Sequence, residues 1–386
     1  MKPTAGRSSR TGLLVVLATV LTGLGLTVAA GPAAAAAGPS FLGGLSRIRE
    51  VASTVPAIGD VNPYGVAVVP TSTGKLQKGA VLVSNFNNMA NQQGSGTTIV
   101  QIAPGGRQTV FASVQLGDGQ ACPGGVGLTT ALAVFRSGWV VVGSLPTSDG
   151  TIATATAGCL IVLNHNGHVV ETISGSPING PWDMTAVDQG SNATLFVTNV
   201  LNGTVAADPD PTQPGMVVKK GNIVRLRLSF MAADPQVTSE VVIADGFGER
   251  GDPAALVVGP TGLGMHGDVL FVADTEANRI TEIPGAMFLP GPFLGPGLQL
   301  TRGGNLNSPL GLTIAPDGHV VTVNGGDGNA VETDLAGNQV ATKTLDDTPV
   351  MGSTAGAGSL FGLAVSPNKA GLYFVDDISN QLNEAL

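Results

Sequence analysis

Apolar residues along positions 47–386 come in short runs that alternate with polar ones or stand continuous, broken by turns of Gly, Pro, Asn and Asp. That is the signature of many short strands, not of long amphipathic helices. The runs also repeat in a fixed order. A first element reads NPYGVAVVP at 62–70, TTALAVFRSG at 129–138, GPWDMTAVD at 180–188, GPTGLGMHG at 259–267, SPLGLTIAPDG at 308–318 and SLFGLAVSPN at 359–368. The second copy is the weakest, and the last has Leu360 where four others have Pro. Aligned on Gly65, Ala131, Asp183, Gly262, Gly311 and Gly362, the copies recur at about 50 residues where no insertion intervenes.

A second element follows each first one: AVLVSN at 80–85, WVVVGS at 139–144, TLFVTN at 194–199, VLFVAD at 269–274, HVVTVN at 319–324 and LYFVDD at 372–377. These β-branched runs end at Asn, Asp or Ser and describe strands buried on both faces. A third element comes next, as in TTIVQI at 97–102 and ANRITEI at 277–283, and a fourth as in HVVETI at 168–173 and LQLTR at 298–302. Four strands per repeat is one propeller blade. The sixth copy stops after its third strand, and the unassigned segment IREVASTV at 48–55 resembles the fourth strands. The expected fold is therefore all-β: a six-bladed β-propeller of four-stranded antiparallel blades, its ring closed by an N-terminal strand that removes exposed edges. Small residues in the first strands fit six strands crowding the axis.

The segment ahead of the repeats has another character. Lys2, Arg7 and Arg10 precede an uncharged apolar stretch, Leu13 to Ala30, and an alanine run, Ala33 to Ala37. This reads as a secretory signal peptide over 1–37, ahead of a propeller over 38–386, and predicts a secreted protein. An uncleaved membrane anchor is the alternative reading. Removing the leader takes the net charge from −9 to about −12. Such an acidic chain is expected to bind no nucleic acid and, once cleaved, no membrane, and to be a monomer. In an oxidising compartment Cys122 and Cys159 are expected to pair; two buried free thiols are the other possibility.

SPLGLTIAPDGHVVTVNGGDGNAV and GPTGLGMHGDVLFVADTEANRITEI resemble NHL-type repeats, with their Pro-x-Gly-Leu step, Asp-Gly turn, Val-Ala-Asp and Asn-x-Ile step. The resemblance covers most of 47–386 and is weakest in the second blade. It implies a superfamily that includes gluconolactonase-like hydrolases, strictosidine synthase-like enzymes, antibiotic-opening and amidating lyases, and pure binding scaffolds. Fold does not choose among them.

Candidate chemistry is sorted by face. The fourth-to-first and second-to-third connections share the face of the channel mouth, and the hairpins share the other. His165, His168, His266 and His319 all fall in hairpins and read as solvated turn residues, which excludes a His-based zinc lyase at the mouth. No Gly-x-Ser-x-Gly elbow or phosphate-cradling loop is present. Oxygen ligands remain: Asp183, Asn199, Asp274, Asn324 and Asp376 form the candidate metal set, with Asn85, Asn87, Glu276, Asp327, Asp377 and Asp60 nearby in sequence logic. Converging from several blades, they suit a divalent cation such as Ca²⁺, and gluconolactonase-like propellers use a Glu, Asn and Asp set there. The opposing reading is that Asn and Asp end strands for turn geometry. Asp183 stands out because the other copies carry Gly or Ala, so a carboxylate there needs a compensating partner. Two insertions complete the inventory. Residues 203–220 read as a lid over the mouth or a surface loop, and 284–297 as an apolar segment that packs on its blade or meets a partner. Two functions follow: a secreted binding module for a small molecule or protein, or a divalent-metal-dependent hydrolase or lyase.

Overall fold

The structure, a computed structural model, describes residues 40–201, 216–252 and 255–386. The leader read over 1–37 and most of the 203–220 insertion lie outside the described residues. Six antiparallel sheets follow one another along the chain. Their first strands are Val61–Val68, Leu128–Val134, Gly180–Asp188, Pro260–His266, Pro309–Ile314 and Leu360–Val365. Each is the innermost strand of its sheet, and each pairs with the strand that follows it.

The ring closes as the repeat arithmetic requires. Ile48–Ser53 pairs with Gln381–Ala385, from Ile48 opposite Ala385 to Ser53 opposite Gln381, and becomes the outer strand of blade six. Ahead of it a single helical turn, Phe41–Gly44, is capped by Ser40 and buries Leu42 against blades five and six. The backbone N–H groups of Phe41 and Leu42 donate to the buried carboxylate of Glu332, at 3.1 and 2.7 Å.

Blade three departs from the sequence reading. Its third strand, Val218–Ser229, begins inside the segment read as an insertion, and its fourth, Gln236–Asp252, runs on past the sheet. The overrun pairs with a fifth strand, Leu256–Val258. The alternation of EVVIADGFGERGD continues far enough to hold a longer hairpin, and Leu256 and Val257 are buried where that hairpin reaches the axis. In the 284–297 segment Met287, Leu289 and Phe293 pack on blades three and four, while Phe288 and Leu294 stay 73% exposed.

Cys122 and Cys159 are bonded, with Cα atoms 5.3 Å apart. The bridge ties the loop leading into blade two to that blade's third strand, across a sequence separation of 37. Cys122→Ser is expected to lower unfolding free energy by about 4 kcal/mol, the chain-entropy value for such a loop. Urea melts should then become insensitive to added reductant. A variant that matches the parent protein's midpoint would contradict this.

Candidate functional site

In every first strand the sheet register slips at the residue before the aligned Gly, Ala or Asp. The slip re-aims one side chain per blade: Tyr64, Thr130, Trp182, Thr261, Leu310 and Phe361. The glycine beside it is needed for close approach, because a Cβ on Gly311 would overlap the carbonyl oxygen of Phe361 and one on Gly362 that of Tyr64. Tyr64 stacks between Phe86 and Phe361, with ring centroids 4.5 and 4.0 Å away, and Trp182 leans on both Tyr64 and Phe361. These rings come from blades one, three and six and share one buried cluster with Leu310 of blade five. Only the axis brings those blades together, so the cluster is a plug across the channel. The Trp182 indole N–H donates to Val257 O at 3.0 Å, fastening the plug to the extra strand of blade three.

The plug divides the axial region into two cavities. One is a well of about 370 Å³ lined by the first strands of all six blades, from Asp183 and Thr130 to Val68, Val134, Ala186 and Val365. These residues lie from the middle to the end of the strands, so the well opens on the hairpin face. The other is a cleft of about 320 Å³ on the mouth face, between the blade-three extension and blades four to six. Its apolar surface is Leu310, Phe361, Val258 and Val350, and its polar groups include Arg250, Asp252, Thr275, Ser308 and Ser353. Arg250 is held from two sides, by Glu276 at 2.7 Å and Asp252 at 2.8 Å.

Each of the five residues of the predicted metal set has contacts of its own within the protein. Asn199 accepts from the N–H groups of Asn179 and Gly180, both at 2.8 Å, and donates to Pro177 O. Asn324 accepts from Asn307 N and donates to Asn305 O and Asp327. Each of these two clamps the loop leading into its own blade, and Asn85 does the same by donating to Thr54 O. Asp274 pairs with Arg279 at 2.7 Å, yet burial still raises its carboxyl above the usual range. Asp376 accepts from Ser379 N, and Asp183 faces the well. Among the described residues, one group of three His, Cys, Asp or Glu side chains lies close enough to share an ion: Asp317, His319 and Glu332. Glu332 is spent on the helical turn and on His319 Nδ1, 2.7 Å away. His319 is therefore a structural partner rather than the solvated turn residue expected from sequence.

The mouth carries one acidic pair that the repeat does not single out. Burial, then the neighbouring Asp376, pushes the Asp377 carboxyl up to about 7. Tyr64 lies within its field: burial and the charges of Asp377 and Asp252 hold the phenol well above its ordinary value, against the opposing pull of the Asn62 side chain. The sequence showed Asp377 only as one of several strand-ending acids. Its distinction is a half-buried setting directly beside the Asp376 carboxylate.

No protein-family model matches the sequence, and no curated protein matches it. Solved structures do. A gluconolactonase from Xanthomonas campestris aligns at 13% identity over 88% of each chain, with a TM-score of 0.51. A luciferin-regenerating enzyme aligns at 11% identity over 88% of this chain and 94% of its own, at 0.50. A calcium-binding regucalcin from Agrobacterium tumefaciens aligns at 14% identity over 86% and 94%, at 0.48. The chain shares their six-bladed propeller fold. At such identities the likeness reaches no further than architecture, and the propeller's site has to be argued from its own residues.

Proposed function

We propose that this propeller is an exported binding module that takes a small molecule in the mouth-face cleft. The leader pattern at 1–37 and the Cys122–Cys159 bridge support export, since structural disulfides belong to oxidising compartments. One observation carries the binding reading: the axis is plugged by stacked aromatics, and beside the plug a cleft joins an apolar floor of Leu310 and Phe361 to one fixed guanidinium, Arg250. Preformed cavities of this size, mostly apolar with a few placed polar groups, are the usual form of small-molecule sites. Ser353 stands exposed at the cleft, so Ser353→Trp fills it without disturbing the core. A thermal-shift screen of small organic acids and neutral metabolites is expected to return ligands that stabilise the parent protein and leave Ser353→Trp unmoved. Ligands that stabilise both equally, or no stabilising ligand at all, would overturn the cleft.

The Asp376–Asp377 pair, whose charge reaches the buried Tyr64 hydroxyl, supports a second reading, a divalent-cation-dependent hydrolase or lyase. Carboxylate and hydroxyl oxygens fit a hard cation such as Ca²⁺, which would polarise a substrate carbonyl there. Calorimetric titration with Ca²⁺ decides it. Uptake by the parent protein that Asp377→Asn weakens at least tenfold supports the enzyme. No uptake at millimolar Ca²⁺ leaves the binding module.

A further inference from the structure

The axial well on the hairpin face has chemistry of its own, independent of the mouth cleft. All six first strands contribute to its wall, where aliphatic side chains such as Val68, Leu132, Met184, Leu312 and Val365 stand among Thr130, Thr185 and Thr313, and more of the exposed surface is polar than apolar. Asp183 is the single ionisable side chain lining it. Of the other ionisable residues on these strands, Tyr64 belongs to the plug, and Asp188 and His266 stand at the far ends, with Asp188 tied to Arg136. Asp183 is 8% exposed and faces no cation of the protein; the backbone N–H groups of Met184 and Leu263 are its stabilising contacts. Burial outweighs them and raises its carboxyl well above the usual range. At the floor, the hydroxyl of Thr130, a residue 3% exposed, has no hydrogen-bond partner within the protein.

We propose that this well binds a small organic cation, a primary ammonium, with Asp183 as its counter-charge. A lone buried carboxylate is costly without a positive partner, and an ammonium supplies one charge for one charge. Its N–H donors suit a site that offers a carboxylate. A divalent metal fits poorly, because Ca²⁺ asks for about six to eight oxygens and the well presents one carboxylate. An anion is excluded by the same carboxylate. The aliphatic side chains of the wall can meet a short hydrocarbon part, and about 370 Å³ holds a ring or short chain. The sequence anticipated the tension at Asp183, and the well shows where its partner enters.

Cyclohexylamine, protonated at pH 8, and neutral cyclohexanol of the same shape are the probes. Met184 lines the well, so its methyl resonance reports occupancy there and nowhere on the mouth face. Cyclohexylammonium is expected to shift that resonance with an affinity at least tenfold above that of cyclohexanol. Affinity should fall as pH is lowered, because protonation of the Asp183 carboxyl removes the counter-charge. Asp183→Asn is expected to erase the tenfold preference. Ala186→Trp, which narrows the well near its rim, is expected to block both probes and covers the case in which the Asn variant folds poorly. Equal binding of amine and alcohol, no Met184 shift, or an ammonium preference that survives in Asp183→Asn would overturn the proposal. A ligand of the mouth cleft leaves the Met184 resonance in place, so this result and that of the cleft are read separately.

Discussion

Removing residues 38–56 is expected to lower the melting temperature by about 5–10 °C, a loss on the order of 5 kcal/mol in a chain of this size. The segment holds more than one outer strand. Ser46 and Arg47 donate to Leu386 O, Thr54 donates to Asn380 O, and Arg49 pairs with the buried carboxylate of Glu384. Without it Glu332 loses both backbone donors, Asn85 loses the Thr54 carbonyl, and Leu42 vacates its place between blades five and six. Those groups stay buried in part, so their hydrogen-bonding capacity is stranded rather than returned to water. The open edge of blade six also becomes a template for aggregation. Circular dichroism melts of the truncated chain check this, and a synthetic 40–56 peptide added in trans should restore part of the loss. A truncated protein that melts within a few degrees of the parent would show that the ring does not depend on its closing strand.

Trp182→Ala is expected to cost about 3–5 kcal/mol, the range for deleting a large buried aromatic. Trp182 is 3% exposed, touches Tyr64 and Phe361, and satisfies the Val257 carbonyl. Its removal leaves a void in the plug and an unpaired carbonyl in the strand beside the cleft. Trp182→Phe keeps most of the volume and loses the hydrogen bond, so it should cost about 1–2 kcal/mol. The two variants therefore separate packing from the tie to blade three. Urea denaturation gives both values. If Trp182→Ala and Trp182→Phe are equally destabilising, the indole N–H matters and the ring volume does not, and the plug is not a packed core. The Ala variant is also expected to join the well to the mouth, so that a cyclohexylammonium signal at Met184 responds to a mouth-cleft ligand.

The repeat was legible because each blade reports the same physics six times. Pro-x-Gly followed by an alternating run, then a buried β-branched run ending in Asn or Asp, recurs often enough to give strand count, sheet order and blade number from sequence alone. Ring closure was legible too, since IREVASTV at 48–55 had the pattern of the one strand the sixth blade lacked. The disulfide followed from two cysteines and an export pattern, although the sequence left free thiols open as an alternative.

The same periodicity hid what differs between blades. The residue before each aligned glycine varies from Tyr64 to Thr130, Trp182, Thr261, Leu310 and Phe361, and that variation was the available signal for the plug. Its meaning depends on six strands meeting at one axis, which no local window contains. The blade-three overrun was missed for a related reason: alternation marks a strand but does not say which partner it pairs with once it leaves its sheet. Asn199 and Asn324 share a position in the repeat, and their hydrogen bonds run to the loops leading into their own blades, which the sequence does not show. Sequence fixes position along a strand; the direction of a polar side chain is decided by which buried N–H and C=O groups would otherwise go unpaired. Asp183 shows both sides of this. Its oddity among glycines was visible in one dimension, and the axial well that it lines exists only in three.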